Sequence, residues 1–266
     1  MPLALALLLQ AGLLPAVPAP AAPDPRHLEA LRALARSDPW PTARIAALRP
    51  ATPRQADALA ELLLRGDLPE GRLAALVGAG TAGDTALGAA LLRFGVLAPT
   101  PEDALAGLLA VESVPAEWLP ALARLAVRRD APLETRAAAC SLLLDAGVVS
   151  AWPLVRAVLL TGTAEDRGDP DWDWPRTGRY ELPKRILLLA LDRLLQRHGL
   201  PPSDFEPNAS WAAQAARVHA LDAVVPRLET PRLPPVETLE RLRRAAASDE
   251  EAARALALVG PAFADR

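Results

Sequence analysis

Pro132-Leu133-Glu134-Thr135-Arg136-Ala137-Ala138-Ala139-Cys140-Ser141-Leu142-Leu143-Leu144-Asp145-Ala146-Gly147 is the stretch that decides the fold. A proline and an acidic residue open it, which suits a first helical turn whose N–H groups lack intrahelical acceptors. Leu133, Ala137, Cys140 and Leu144 then recur at helical spacing, and Gly147 supplies the residue that most easily takes the left-handed conformation after a last turn. The segment predicts one helix of about four turns with an apolar side.

The same opening recurs upstream. Pro41-Thr-Ala-Arg44-Ile-Ala-Ala-Leu48, Pro69-Glu-Gly-Arg72-Leu-Ala-Ala-Leu76 and Pro101-Glu-Asp-Ala104-Leu-Ala-Gly-Leu108 align with it, and the four prolines stand about thirty residues apart. Companion helices fall between them: two share the endings Leu62-Leu63-Leu64-Arg65-Gly66 and Ala90-Leu91-Leu92-Arg93-Phe94-Gly95, and 115–128 and 150–160 take the later places. Each unit therefore reads as a helical hairpin. One hairpin has too small a core to stand alone, so stacked neighbours must share a continuous Leu and Ala layer.

Composition agrees with an all-α chain. Of 266 residues, 51% are hydrophobic but only 4% aromatic, a mixture that favours helices packed through small residues over sheets. A net charge of -3 offers no basic field for a phosphate backbone, so no nucleic-acid partner is expected. The single cysteine, Cys140, excludes an intramolecular disulfide and a cysteine metal cluster; on the apolar side of its helix it reads as a small core residue.

The repeat resembles the HEAT (armadillo-like) family, whose second helix opens on a proline or acidic cap and carries an arginine followed by small residues and leucines. Arg136 with its alanines is the best match, followed by Arg44 and Arg72; Ala104 departs from the pattern. The resemblance spans about 38–162 and implies a right-handed α-α superhelix, a solenoid of stacked helical hairpins. It also implies that Arg44, Arg72 and Arg136 reach an acidic residue of a neighbouring unit. By resemblance the function is that of a non-enzymatic scaffold for a protein partner; the alternative is an enzyme or enzyme subunit on the same fold, like a bilin lyase or a DNA glycosylase.

Local signals fill in the rest. Asp24-Pro25 caps a first helix carrying Leu28, Leu31, Leu34 and Ala35. Residues 182–198 form the clearest amphipathic helix, with Leu187, Leu191, Leu194 and Leu195 as its apolar stripe and Lys184, Asp192, Arg193, Gln196 and Arg197 read as facing away. Asn208-Ala209-Ser210 matches a glycosylation acceptor but reads as the cap of a helix over 208–225. Pro231, Pro234 and Pro235 stiffen a connector to two last helices, 236–247 and 249–259, which suit a polar end cap with Arg241, Arg243 and Arg244 outward. Residues 24–266 thus read as one repeat domain.

Residues 161–182 break the rhythm as an inserted loop. It holds Asp169, Asp171 and Asp173, which lack the turn glycine and distal glutamate of an EF-hand, so no metal is expected. It also concentrates Trp172, Trp174, Arg176, Arg179 and Tyr180, residue types that carry binding energy at interfaces and stand here as the candidate partner-binding set. The competing reading is a solvated loop pinned by a buried tryptophan. His27, His198 and His219 stand in no ligand spacing, and no phosphate loop or nucleophile elbow occurs, so neither catalytic residues nor a cofactor are expected.

The start of the chain, an uncharged apolar run from Leu3 to Val17 followed by Ala and Pro, predicts a signal peptide over 1–22 without a basic leading segment. Export to the periplasm or the extracellular space follows if it is cleaved, and a cytoplasmic location if not. Pro15 and Pro18 interrupt the run, which is too short for a stable membrane span.

Overall fold

A computed structural model describes residues 17, 23–35, 50–65, 85–98, 100–161, 181–206, 209–228 and 236–259. They form eleven α-helices and three short 3-10 segments, with no strand among the described residues. The chain is all-α. It divides into two compact units, the first ending at Pro115 and the second beginning at Ala116.

The first unit begins with helix α1 (Pro25–Ala35), where Asp24 accepts the backbone N–H groups of Arg26 and His27 at 3.0 and 3.3 Å, the expected cap. Helix α2 (Pro53–Leu64) is capped by Thr52, while Gln55 reaches back to the N–H of Ala51 at 2.9 Å. Its buried face carries Leu59, Leu62 and Leu63 together with Asp57, whose carboxylate meets Arg93 of helix α3 (Thr85–Leu97) at 2.9 Å. Helix α4 (Pro101–Leu109) opens at the repeat proline, with Thr100 as its cap. Pro41 and Pro69 lie outside the described residues.

Gly95 corrects the sequence reading. Expected at a helix end, it stands inside α3, where a side-chain carbon at Gly95 would lie 2.9 Å from the backbone N of Leu108. One at Gly107 of α4 would lie 2.8 Å from the Cα and N of Gly95. Two glycines let these backbones touch, and contact this close excludes even a methyl group.

The second unit is built around helices α5 (Leu119–Val127) and α6 (Leu133–Asp145). The stretch that decided the fold folds as read, with one difference: α6 is buried on every side from Thr135 to Leu144 because it packs between α5 and helix α8 (Glu181–Arg197). It ends in a Schellman motif. Gly147 takes φ 82°, its N–H bonds Leu144 and that of Val148 bonds Leu143, both at 2.8 Å. Arg197 of α8 donates to the carbonyls of Leu144 and Asp145, placing positive charge at the negative end of α6. Arg136, buried in α6, donates through Nε to the carbonyl of Ala126 on α5 at 3.3 Å.

Helix α7 (Trp152–Leu160) pairs with α9 (Trp211–Asp222), whose Ser210 accepts the N–H of Ala213 as its cap. Asp222 joins the two helices by accepting Trp152 Nε1 at 2.8 Å and Arg156 Nε at 2.9 and 3.0 Å. Helices α10 (Val236–Ala246) and α11 (Glu250–Val259) pack on each other, and α11 returns to lie against α5 rather than adding only to its neighbours in sequence.

Candidate functional site

Residues 162–180, most of the stretch read as an inserted loop over 161–182, lie outside the described residues, between two described roots, the end of α7 and the start of α8. A buried lysine holds these two roots together. Lys184, in the first turn of α8 and only 5% exposed, donates from Nζ to the carbonyl of Thr161 at 2.9 Å and to Oε1 of Gln214 on α9 at 2.8 Å. Its ammonium also lies 5.9 Å from the centre of the Phe205 ring, within range of a cation–π contact. Gln214 passes the network on by donating to the carbonyl of Ala209 at 2.8 Å, and Thr161 Oγ1 bonds Ala157 at 3.0 Å. A charge in so dry a place needs such acceptors, because desolvation without them costs several kcal/mol.

The loop from α8 to α9 is fixed to the same junction. Gly199 closes α8 with φ 70°, Asp192 accepts the N–H of Ser203 at 2.6 Å, and Arg217 of α9 bonds the carbonyl of Ser203 and the carboxylate of Asp204. Phe205 and Ser203 are buried beneath. The junction is thus a braced seat.

Lys184 is the second correction to the sequence reading, which turned it away from the apolar stripe. Its spacing held the signal: 184, 187, 191 and 194 share one helical register, and Gln214 belongs in the same way to a buried row with Ala215, Val218 and Leu221. The opposite registers point outward. Leu182 is 48% exposed, Leu189 63% and Trp211, at the head of α9, 63%. Large apolar side chains in solvent are informative when they cluster by helical register, as Leu182 and Leu189 do with Arg185 between them. Sequence reasoning passed over these three residues because an apolar residue in an amphipathic helix is assigned to the core by default.

Trp172, Trp174, Arg176, Arg179 and Tyr180 lie outside the described residues, as do Asp169, Asp171, Asp173, Arg44 and Arg72. Arg136 is described, and its Nε meets a backbone carbonyl; the arginine of this unit seen to reach a carboxylate on another helical segment from deep burial is Arg124, bonded to Asp249 at 2.5 Å. Cys140 is buried, and burial pushes its thiol up to about 12, which fits a core residue. Among the described residues no group of three or more His, Cys, Asp or Glu side chains is placed to hold a metal ion, and no helix is long and apolar enough to cross a membrane.

No protein-family model matches the chain, nor does any curated protein or solved structure.

Proposed function

We propose that the chain is a non-enzymatic protein-interaction scaffold of HEAT-repeat type, its helical hairpins stacked as a right-handed α-α superhelix, and that a protein partner engages it around the 161–182 insertion. The observation that supports this most is the Lys184 junction. It ties both roots of the insertion to α9, and exposed Leu182 and Trp211 stand two and three positions from its members Lys184 and Gln214. A rigid seat under a variable loop is how scaffolds present binding residues. Trp172, Trp174, Arg176, Arg179 and Tyr180 supply the aromatic and guanidinium groups that dominate protein interfaces. The same proposal has the chain exported after loss of residues 1–22, which intact mass of the native protein reads directly.

Two variants test the binding reading: Trp172→Ala with Trp174→Ala, and Leu182→Ser with Leu189→Ser and Trp211→Ser. Each is compared with the parent by thermal melting and by affinity capture followed by mass spectrometry. The proposal expects near-parental melting and loss of the captured partner. Variants that melt as the parent and retain the same partner would remove its basis.

A further inference from the structure

The seat of α11 on α5 is built differently from the seats of α6. On α11 the buried side chains include the small Ala252 and Ala255 before Leu258 and Val259, and α10 contributes Leu239 and Leu242. By comparison, α6 buries ten consecutive residues from Thr135 to Leu144. With four buried residues on α11 against ten on α6, this seat removes less apolar area from water and gains less from burial.

A charge sits within it. Arg124, 1% exposed, donates from Nη2 to Oδ2 of Asp249 at 2.5 Å, while its Nε and Nη1 are buried with no hydrogen-bond partner among the described residues. Asp249 also caps α11, its Oδ1 accepting the N–H of Ala252 at 3.2 Å. Ser150 Oγ donates to the carbonyl of Leu258 at the other end of the helix. Such a pair is poor glue, because two of the guanidinium nitrogens recover their hydration only when α11 lifts away. It is a good index of position, since a single carboxylate meets a buried cation at one register only.

We propose that α10–α11 is a closing flap that opens as a unit while α5, α6 and α8 stay folded, and that Arg124–Asp249 fixes the one register at which it closes. The flap governs exposure of the Arg124 face of α5. Low local burial and a separate helical pair are the attributes of segments that open below the global unfolding free energy.

Native-state hydrogen exchange of the full chain, read by mass spectrometry, tests this. In the parent, peptides from 236–259 should exchange through an opening that leaves 133–145 protected. Asp249→Asn keeps a capping oxygen and removes the charge; since a buried cation loses its carboxylate, it should lower protection of 236–259 on the order of 100-fold and leave 133–145 the better protected of the two regions. Adding Arg124→Met should restore the flap, because a neutral pair closes without a stranded charge. Equal protection of the two regions, in the parent or in Asp249→Asn, would overturn the flap. Failure of Arg124→Met to restore protection would overturn the register role and make the pair simple glue.

Discussion

Lys184 Nζ lies 2.9 Å from the carbonyl oxygen of Thr161, so the end of α7 and the first turn of α8 are joined across 23 positions of chain. The bond makes these two helix ends a single fixed base.

Lys184→Met should therefore loosen that base. Methionine keeps the apolar stem beside Phe205 but withdraws the donor from Thr161 and Gln214, a loss of about 1–3 kcal/mol for buried acceptors. Urea unfolding measures the loss. Trypsin should also cut faster at Arg167, Arg176 and Arg179, and an unchanged digestion rate would show that the lysine does not govern the insertion.

What was legible in the sequence follows the range over which each signal acts. The helix read over 132–147 was found at Leu133–Asp145 because its proline, its periodicity and Gly147 all act within a turn or two. Asp24 and Ser210 were read as caps for the same reason, and both accept N–H groups of their own first turn. Gly95 was misread because its purpose is contact with Gly107 on another helix. Lys184 was misread because a long cation is placed in water unless its acceptors are known, and Gln214 lies 30 positions away. The return of α11 to α5 has no local signal: Arg124 and Asp249 are 125 positions apart.

Gly107→Ala should destabilise the first unit even though alanine is the better helix former. Propensity favours alanine by about 1 kcal/mol. Against this, the new carbon would meet the Cα and N of Gly95 at 2.8 Å, backbone atoms that no rotamer change can move. Overpacking of this kind costs about 1–3 kcal/mol, so the net effect is a lower urea midpoint. Gly199→Ala provides the contrast: nothing lies within 4 Å of the added carbon, and the φ of 70° alone should cost about 1–2 kcal/mol. A Gly107→Ala variant more stable than the parent would disprove the close crossing.

Cys140 should be silent toward thiol reagents in the native protein. It is buried on α6, and its thiol, pushed up to about 12 by burial despite the nearby Arg136 guanidinium, holds almost no thiolate at neutral pH. Ellman's reagent should therefore release colour only on denaturation, and rapid native reaction would place the residue at a surface.

Acid should act on the second unit through two carboxyls of opposite sense. Burial works to raise Asp249, but the Ala252 N–H and the Arg124 guanidinium hold it below the ordinary value, so its folded-state pKa is depressed. A depressed carboxyl contributes stability that is present above its unfolded pKa of about 3.9 and is lost as the pH falls through the folded value. Burial raises Glu251, with Arg128 opposing, and Asp130 and Asp249 are the neighbouring carboxylates that reinforce the shift. The ionised form of Glu251 therefore weakens the fold, and stability is gained as the pH falls through its raised value towards about 4.3. Asp130 is lowered chiefly by its bond to Arg128, but that pair is solvent-exposed and adds little. Urea midpoints taken from pH 7 downward should thus hold or rise slightly until about pH 4.5 and then decline. Glu251→Gln should remove the rise. Asp249→Asn should lower stability at pH 7 and flatten the decline, and an acid limb as steep as the parent's would show that Arg124–Asp249 is not the pair that titrates.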